Sequence, residues 1–202
     1  MLEIGRKRHP KIKKIPSYLI YEEMNGIALP YKGFRDVLAG KKKAEEIMGS
    51  SSLQSILVYT IGFYIGSLIN RKKYRIGSNE AGLHIAAGDN LANDIVIFEK
   101  ENLVLDDKYF KKAPKIVVEI DVKIDLSQTE WTNEWDYVIE KSQKMLDFGV
   151  ERVIWITTKS KKIFVSSKTE RWYMVDFNED IPLVDDVVLN LANVLAQEDI
   201  VF

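Results

Sequence analysis

Residues 115–123, KIVVEIDVK, carry Glu119, Asp121 and Lys123 at alternate positions in a run that is otherwise typical of a β-strand. Strand side chains alternate between two faces, so Glu119, Asp121 and Lys123 would share one face while the other is apolar. Carboxylates beside an ammonium can bind a divalent cation and move protons during hydrolysis. An amphipathic strand whose charged face meets water would show the same pattern, so catalysis requires partners elsewhere in the chain.

Asp94 is the first candidate partner, because it opens the apolar segment NDIVIF of residues 93–98. A carboxylate in a buried strand costs free energy unless it is solvated, paired or bound to a metal. Residues 99–113 connect it to the KIVVEIDVK strand, so the two strands could lie side by side and bring Asp94 near Glu119. Two carboxylates with the Ile120 carbonyl between them form an oxygen-rich site suited to Mg²⁺, or to Mn²⁺ in its place. The alternative for Asp94 is a simple turn residue.

A lysine can join these carboxylates from a helix predicted over residues 134–148. Its apolar residues recur at helical spacing, and Gly149 follows as a C-cap. Lys141 falls within the apolar stripe that contains Val138 and Met145, so its side chain would face the sheet. There it could orient the attacking water and help to deprotonate it, as phosphodiester hydrolysis requires. The alternative is a lysine stem packed flat with its ammonium in water.

The elements that would position these residues follow the pattern of an α/β domain. Residues 49–70 carry no charge, a length that also suits a membrane span. Their polar residues, and the basic clusters at both ends, favour instead a helix packed on a sheet, with Gly62 and Gly66 at the contact. A last short helix is expected over residues 190–196, and further strands are predicted near the N-terminus and over 74–78, 82–86, 153–158, 162–166 and 172–176.

The composition indicates one domain spanning residues 1–202, whose residues 1–16 form a basic extension. No low-complexity linker divides the chain, and 46% apolar content can build one sizeable core. Cysteine is absent and no apolar signal segment follows the basic N-terminus, so we expect a cytoplasmic protein without disulfides. The net charge of −1 excludes a uniformly basic coat for nucleic acid.

The segments NDIVIF, PKIVVEIDVK and EKSQKMLDFGVERVIWI follow one another in this order along the chain. They resemble the PD-(D/E)XK nuclease superfamily, and within it a family of small bacterial restriction-endonuclease-like domains, long catalogued as a domain of unknown function and numerous in cyanobacteria. The earlier segment YEEMNGIALPYKG adds the family's usual glutamate at Glu22, and the resemblance runs from about Tyr21 to the C-terminus. It implies a restriction-endonuclease-like α/β fold, a central mixed β-sheet flanked by α-helices.

For the site, the resemblance implies Asp94 and Glu119 as metal ligands, the Ile120 carbonyl as a further ligand, and a lysine that activates water. The superfamily's lysine position, two residues after the glutamate, is occupied by Asp121, which could be a third carboxylate toward the metal. In this family the lysine commonly comes from the following helix, and the matching position here is Lys141.

Two further residues are candidates for catalysis. Lys123 competes with Lys141 because it would share a strand face with Glu119, and Glu22 matches the family's early glutamate. We therefore expect a Mg²⁺-dependent DNA endonuclease without a membrane span. A nuclease that cuts both strands of a duplex usually presents two sites related by a two-fold axis. The apolar C-terminal segment VLNLANVLAQEDIVF also leaves surface that a second copy could cover, so we expect a homodimer. The alternative is a catalytically silent nuclease-fold module that binds nucleic acid or a protein partner.

Overall fold

The computed structural model describes residues 14–202, which form a central β-sheet with helices on both faces. The predicted basic extension lies outside the described residues, apart from residues 14–16. The helices are α1 (Phe34–Leu38), α2 (Glu45–Met48), α3 (Ser52–Leu68), α4 (Glu134–Phe148) and α5 (Leu191–Gln197). The strands are β1 (Ile20–Met24), β2 (Ile27–Pro30), β3 (Tyr74–Ala86), β4 (Asp89–Glu99), β5 (Ile116–Ile120), β6 (Arg152–Thr157), β7 (Lys162–Ser167), β8 (Tyr173–Asp176), β9 (Asp180–Pro182) and β10 (Val188–Asn190).

The main sheet runs in the order β2-β1-β4-β5-β6-β7-β8, and β3 also pairs with β4. Strands β5 and β6 are parallel, whereas the other neighbours in this sheet are antiparallel. This arrangement confirms the predicted mixed sheet flanked by helices. The β4–β5 pairing, with Ile95 opposite Val118, also confirms that the strands carrying Asp94 and Glu119 lie side by side.

Strand β5 is buried on both faces, so the alternative of a strand with one face in water is wrong. Ile116, Val118 and Ile120 lie in the apolar core that α3 and α5 cover. Val117 points to the opposite face and lies in the core that α4 covers. Glu119 lies two residues after Val117, so its side chain points to the same face, and it is only 2% exposed. Its carboxylate therefore needs partners within the protein.

Helix α4 has the bounds and the orientation that its sequence predicts. Asn133 accepts hydrogen bonds from the first-turn backbone and Asp136 bonds back to it, which forms a capping box. Gly149 ends the helix with a φ of 123°, a conformation that favours glycine. Lys141 is buried with the apolar stripe against the sheet and is 1% exposed. The prediction that this lysine faces the sheet is confirmed.

The uncharged segment of residues 49–70 forms α3, whose first turn is capped by the Ser51 hydroxyl. Among residues 14–202, no helix is long and apolar enough to cross a membrane. A Cβ added at Gly66 would lie 3.5 Å from Ile76 of β3, so this glycine does lie at the sheet contact. A Cβ added at Gly62 would meet no other described atom within 4 Å, so the expectation that Gly62 lies at this contact is wrong.

Strand β3 is continuous where the sequence predicts two short strands. The register against β4 shifts between Ser78 and Ala81, because one extra residue bulges out of β3. Asn79 and Glu80 form this bulge with left-handed φ values of 65° and 57°. Ser78 pairs with Ile95 and Ala81 pairs with Asn93, so the bulge lies opposite Asp94 of β4.

Candidate active site

Five charged residues singled out from the sequence meet where β1, β4, β5 and α4 come together: Glu22, Asp94, Glu119, Lys123 and Lys141. We call them the carboxylate–lysine cluster. Four of these residues are at most 4% exposed, and the side chain of Lys123 is 14% exposed. The structure therefore brings together candidates that lie far apart in the chain.

Lys141 joins two of the carboxylates beneath α4. Its Nζ lies 2.9 Å from Glu119 Oε1 and 3.0 Å from Glu22 Oε2, and it donates to the Ala92 carbonyl at 2.8 Å. The hydrogen bonds of Lys141 go to Glu22 and Ala92, whereas Glu119 Oε1 is an ion-pair neighbour that is buried without a hydrogen-bond partner. Glu22 also accepts a hydrogen bond of 2.5 Å from the Tyr137 hydroxyl. Lys141 is thus a buried counter-ion, which excludes the alternative of an ammonium in water.

Asp94 lies where β4 passes the end of β5. Its Oδ2 accepts from the Ile120 N–H at 2.8 Å, and its Oδ1 accepts from Lys123 Nζ at 2.7 Å. Gln54 Nε2 donates to the same Oδ2 at 3.4 Å. Hydrogen bonds to a buried carboxylate offset much of the cost of removing it from water. Asp94 is therefore part of a buried polar network and is not a simple turn residue.

The cluster contains three carboxylates and two ammonium groups, so its charges do not balance when all are ionised. Burial raises the pKa of Glu119 to about 8; Lys141 opposes this rise and the charge of Asp94 adds to it. Burial lowers the pKa of Lys141, but the charges of Glu119 and Glu22 outweigh it and raise that pKa above its ordinary value. Near neutral pH, Lys141 stays charged and Glu119 holds a proton.

Asp121 does not share the face of Glu119, so that prediction is wrong. Strand β5 ends at Ile120, and Asp121 adopts a left-handed conformation with a φ of 56°. Its carboxylate instead accepts hydrogen bonds from the Thr158 N–H at 2.9 Å and the Thr158 hydroxyl at 2.6 Å. Strand alternation fails here because it holds only while the backbone stays extended. Asp121 fixes a turn after β6, and we leave it out of the proposed ligand set.

Lys123 also lies beyond the end of β5, so the prediction that it shares a strand face with Glu119 is wrong. Its Nζ nevertheless reaches Asp94, as described above, and lies 5.4 Å from the centre of the Tyr21 ring. A further carboxylate, Glu80, lies 3.4 Å from the same Nζ. Lys123 is therefore held between two carboxylates, at the side of the cluster nearest solvent.

Three residues of the site were missed in the sequence. Glu80 reaches Lys123 only because the bulge of β3 turns it there. Tyr21 lies among the carboxylates: burial first, and then their charges, raise the pKa of its hydroxyl far above the ordinary value. Gln54 had one usable signal, since it is a polar residue on the same helical face as the buried Leu57 and Ile61.

A cleft of about 220 Å³ opens beside the cluster. Its walls include Gln54, Glu80 and Lys123, together with residues 47–51 at the end of α2 and in the connection to α3. Asp94 and Glu119 are each 2% exposed, so they lie behind these walls. A molecule that enters the cleft would meet Lys123 before it reaches either carboxylate.

The metal that the resemblance implies can be tested against the donor atoms present. Within residues 14–202, no three His, Cys, Asp or Glu side chains converge to hold a metal ion. Asp94 and Glu119 offer two carboxylates, and the Ile120 carbonyl accepts from Gln54 Nε2 at 2.9 Å. Such oxygen ligands suit Mg²⁺, which usually keeps several waters and takes only one or two carboxylates. The residues therefore fit a Mg²⁺ site completed by water and substrate.

The fold is also found in a protein of known structure. The chain is similar to a candidate nuclease belonging to DUF820 from Anabaena variabilis ATCC 29413, with a TM-score of 0.60 and 14% sequence identity. The match covers 87% of this chain and 89% of the other. No family model matches the chain, and no curated protein matches it. At 14% identity, the likeness shows that the chain shares the α/β fold of that protein, and fold alone does not assign an activity.

Proposed function

We propose that this protein is a nuclease that hydrolyses phosphodiester bonds in DNA with the help of Mg²⁺ or Mn²⁺. The observation that carries the proposal is the buried pair Asp94 and Glu119 on adjacent strands, with a lysine bound to each. Burying an ion costs several kcal/mol, and an apolar replacement of a buried ion pair is often as stable. A cluster of this kind beside a cleft is typical of a functional site.

Asp94, Glu119 and the Ile120 carbonyl would hold the ion. When bound, such an ion polarises a phosphoryl oxygen and makes water a stronger nucleophile. The lysines supply positive charge toward the phosphate, where negative charge develops during hydrolysis. Tyr21 and the apolar face of α4 pack around the cluster and keep bulk water away from its buried side.

The two lysines differ in what they can contact. Lys141 hydrogen-bonds Glu22 and a backbone carbonyl and forms an ion pair with Glu119, so we propose that it positions Glu119 and balances its charge. Lys123 lines the cleft, so we propose that it contacts the scissile phosphate or the attacking water. This assignment reverses the order that the family resemblance implies.

A catalytically silent module that binds nucleic acid or a protein is the second candidate. The observation in its favour is that protein groups already contact each candidate ligand without an ion. Lys141 binds Glu119, Lys123 binds Asp94, and Gln54 binds the carbonyl of Ile120. A fold that keeps this cluster for binding alone would retain DNA affinity and show no cleavage.

We also propose a homodimer, because two sites related by a two-fold axis can cut both strands of a duplex. The C-terminal segment is not the surface for it, since α5 packs into the core beside α3. The outer face of α3 is better suited: Ile56, Tyr59 and Phe63 are 50%, 69% and 62% exposed. The rings of Tyr59 and Phe63 stack with their centres 6.1 Å apart.

Cleavage of plasmid, single-stranded and branched DNA with Mg²⁺ or Mn²⁺ tests the proposed activity. We expect cleavage that stops on addition of EDTA, and a loss of roughly 10²-fold or more in Asp94→Asn and in Glu119→Gln. Asp106→Asn, which changes an exposed carboxylate, should cleave like wild type. Wild-type protein that binds DNA but cleaves none of these substrates with either ion would favour the silent module.

A further inference from the structure

Gln54 lies in the first turn of α3 and is 8% exposed. Its Nε2 donates to the Ile120 carbonyl at 2.9 Å and to Asp94 Oδ2 at 3.4 Å. One amide NH₂ group therefore lies between two of the oxygens that the proposed site would offer to a cation. The backbone of Gln54 is held separately, because its N–H donates to the Ser51 hydroxyl at 3.2 Å.

The two acceptors fix the direction of this amide. A main-chain carbonyl and an ionised carboxylate only accept hydrogen bonds, so the amide must turn its NH₂ group toward them. The hydrogens of this group carry partial positive charge. In the absence of an ion, the Gln54 amide thus satisfies the same two oxygens that a cation would bind.

We infer that Gln54 takes the place of the cation in the metal-free protein and becomes an oxygen ligand when the ion binds. The inference rests on the proposed metal site. A divalent cation repels the NH₂ hydrogens, and a half-turn of the amide exchanges Nε2 with Oε1. This last torsion of glutamine has a broad, roughly two-fold profile, so the half-turn requires no movement of α3. Amide oxygens are ligands that hard cations accept.

Mn²⁺ binding, measured by calorimetry without DNA, tests the inference on wild type and on Gln54→Glu. A carboxylate is always an acceptor and needs no turn, so Gln54→Glu should bind Mn²⁺ about 10-fold more tightly or better. Without ion, the same variant should melt at a lower temperature than wild type, since two acidic groups then face each other, and Mn²⁺ should restore it. Gln197→Glu, an exposed change at the end of α5, should bind Mn²⁺ like wild type.

Gln54→Met keeps a similar length without an amide oxygen, and it decides the question if Gln54→Glu does not fold. We expect it to bind Mn²⁺ roughly 10-fold more weakly than wild type. If wild type binds Mn²⁺ and neither variant changes the affinity, the inference is wrong while the metal site stands. If wild type binds no Mn²⁺, the proposed metal site is wrong and the inference fails with it. Mn²⁺ binding with the expected changes, but without DNA cleavage, would leave the inference supported and contradict the nuclease activity alone.

Discussion

Each ionised side chain of the carboxylate–lysine cluster depends on the others for its counter-charge. Glu22 and Glu119 share Lys141, and Asp94 relies on Lys123. Removing one partner from a buried ion pair is far more damaging than replacing both, because the remaining charge has neither water nor a counter-ion. Substitutions in the cluster will therefore change stability as well as activity, and the two effects must be measured separately.

Lys141→Ala should lower the free energy of unfolding by about 3–5 kcal/mol, because it leaves the buried carboxylate of Glu22 without its ammonium. Lys144→Ala is the matched control on the same helix. Lys144 binds Asp89 at 3.0 Å with 23% of its side chain exposed, and Asp89 keeps a hydrogen bond from the Asn25 N–H, so the loss of Lys144 should cost clearly less than the loss of Lys141. Urea unfolding of both variants measures the difference. Equal losses would show that Lys141 is not the counter-ion of Glu22.

The titration of Glu119 predicts a pH dependence of stability. Its pKa rises from 4.5 to about 8 on folding, so between these values the folded chain holds a proton that the unfolded chain releases. The free energy of unfolding should therefore fall as pH rises through this window, by up to about 1.4 kcal/mol per pH unit. Metal affinity should rise over the same window, because the ligand must be deprotonated.

Glu119→Gln removes the titrating group and keeps its shape. Unfolding in urea at several pH values should show a shallower slope for this variant than for wild type. Glu140→Gln, at a partly exposed carboxylate of α4, is the control and should keep the wild-type slope. A wild-type slope in Glu119→Gln would assign the proton uptake to another residue.

At the scale of the elements, sequence patterns predicted the strands and helices whose backbone is regular. A continuous apolar run identified β4, alternation identified β5 and helical spacing identified α4, so Asp94, Glu119 and Lys141 could be placed near one another from the sequence. The end of β5 could not be placed, because the alternation of side chains continues to Lys123 while the backbone turns at Asp121. Aspartate tolerates the left-handed conformation, but no pattern in the neighbouring sequence shows that Asp121 adopts it.

The β3 bulge is a second case of the same limit. Two consecutive non-glycine residues with left-handed φ, Asn79 and Glu80, are uncommon and cost conformational energy. Pairing of β3 with β4 on both sides of the bulge holds them in place. Because this constraint comes from strands that pair across the sheet, local propensity does not reveal it. Glu80 was therefore missed, although its carboxylate lies beside Lys123.

At the scale of the whole molecule, the outer face of α3 is the surface that the predicted homodimer would use. Light scattering at micromolar concentration should give twice the monomer mass of 23.3 kDa. Phe63→Glu should shift the protein toward the monomer, because burying an unpaired carboxylate in an apolar contact is costly. Val201→Glu, at a residue that is 94% exposed, should leave the mass unchanged. A wild-type mass near that of the monomer would contradict the dimer.

The cluster is assembled from segments spread along most of the chain, from Glu22 in β1 to Lys141 in α4. During synthesis the N-terminal part emerges first, so a nascent chain displays Glu22, Asp94 and Glu119 before α4 has left the ribosome. Until then Glu22 lacks its counter-ion and cannot be buried without cost. The proposed cutting centre is therefore completed late, and a prematurely terminated copy that lacks α4 would carry no assembled centre with which to damage the cell's nucleic acid.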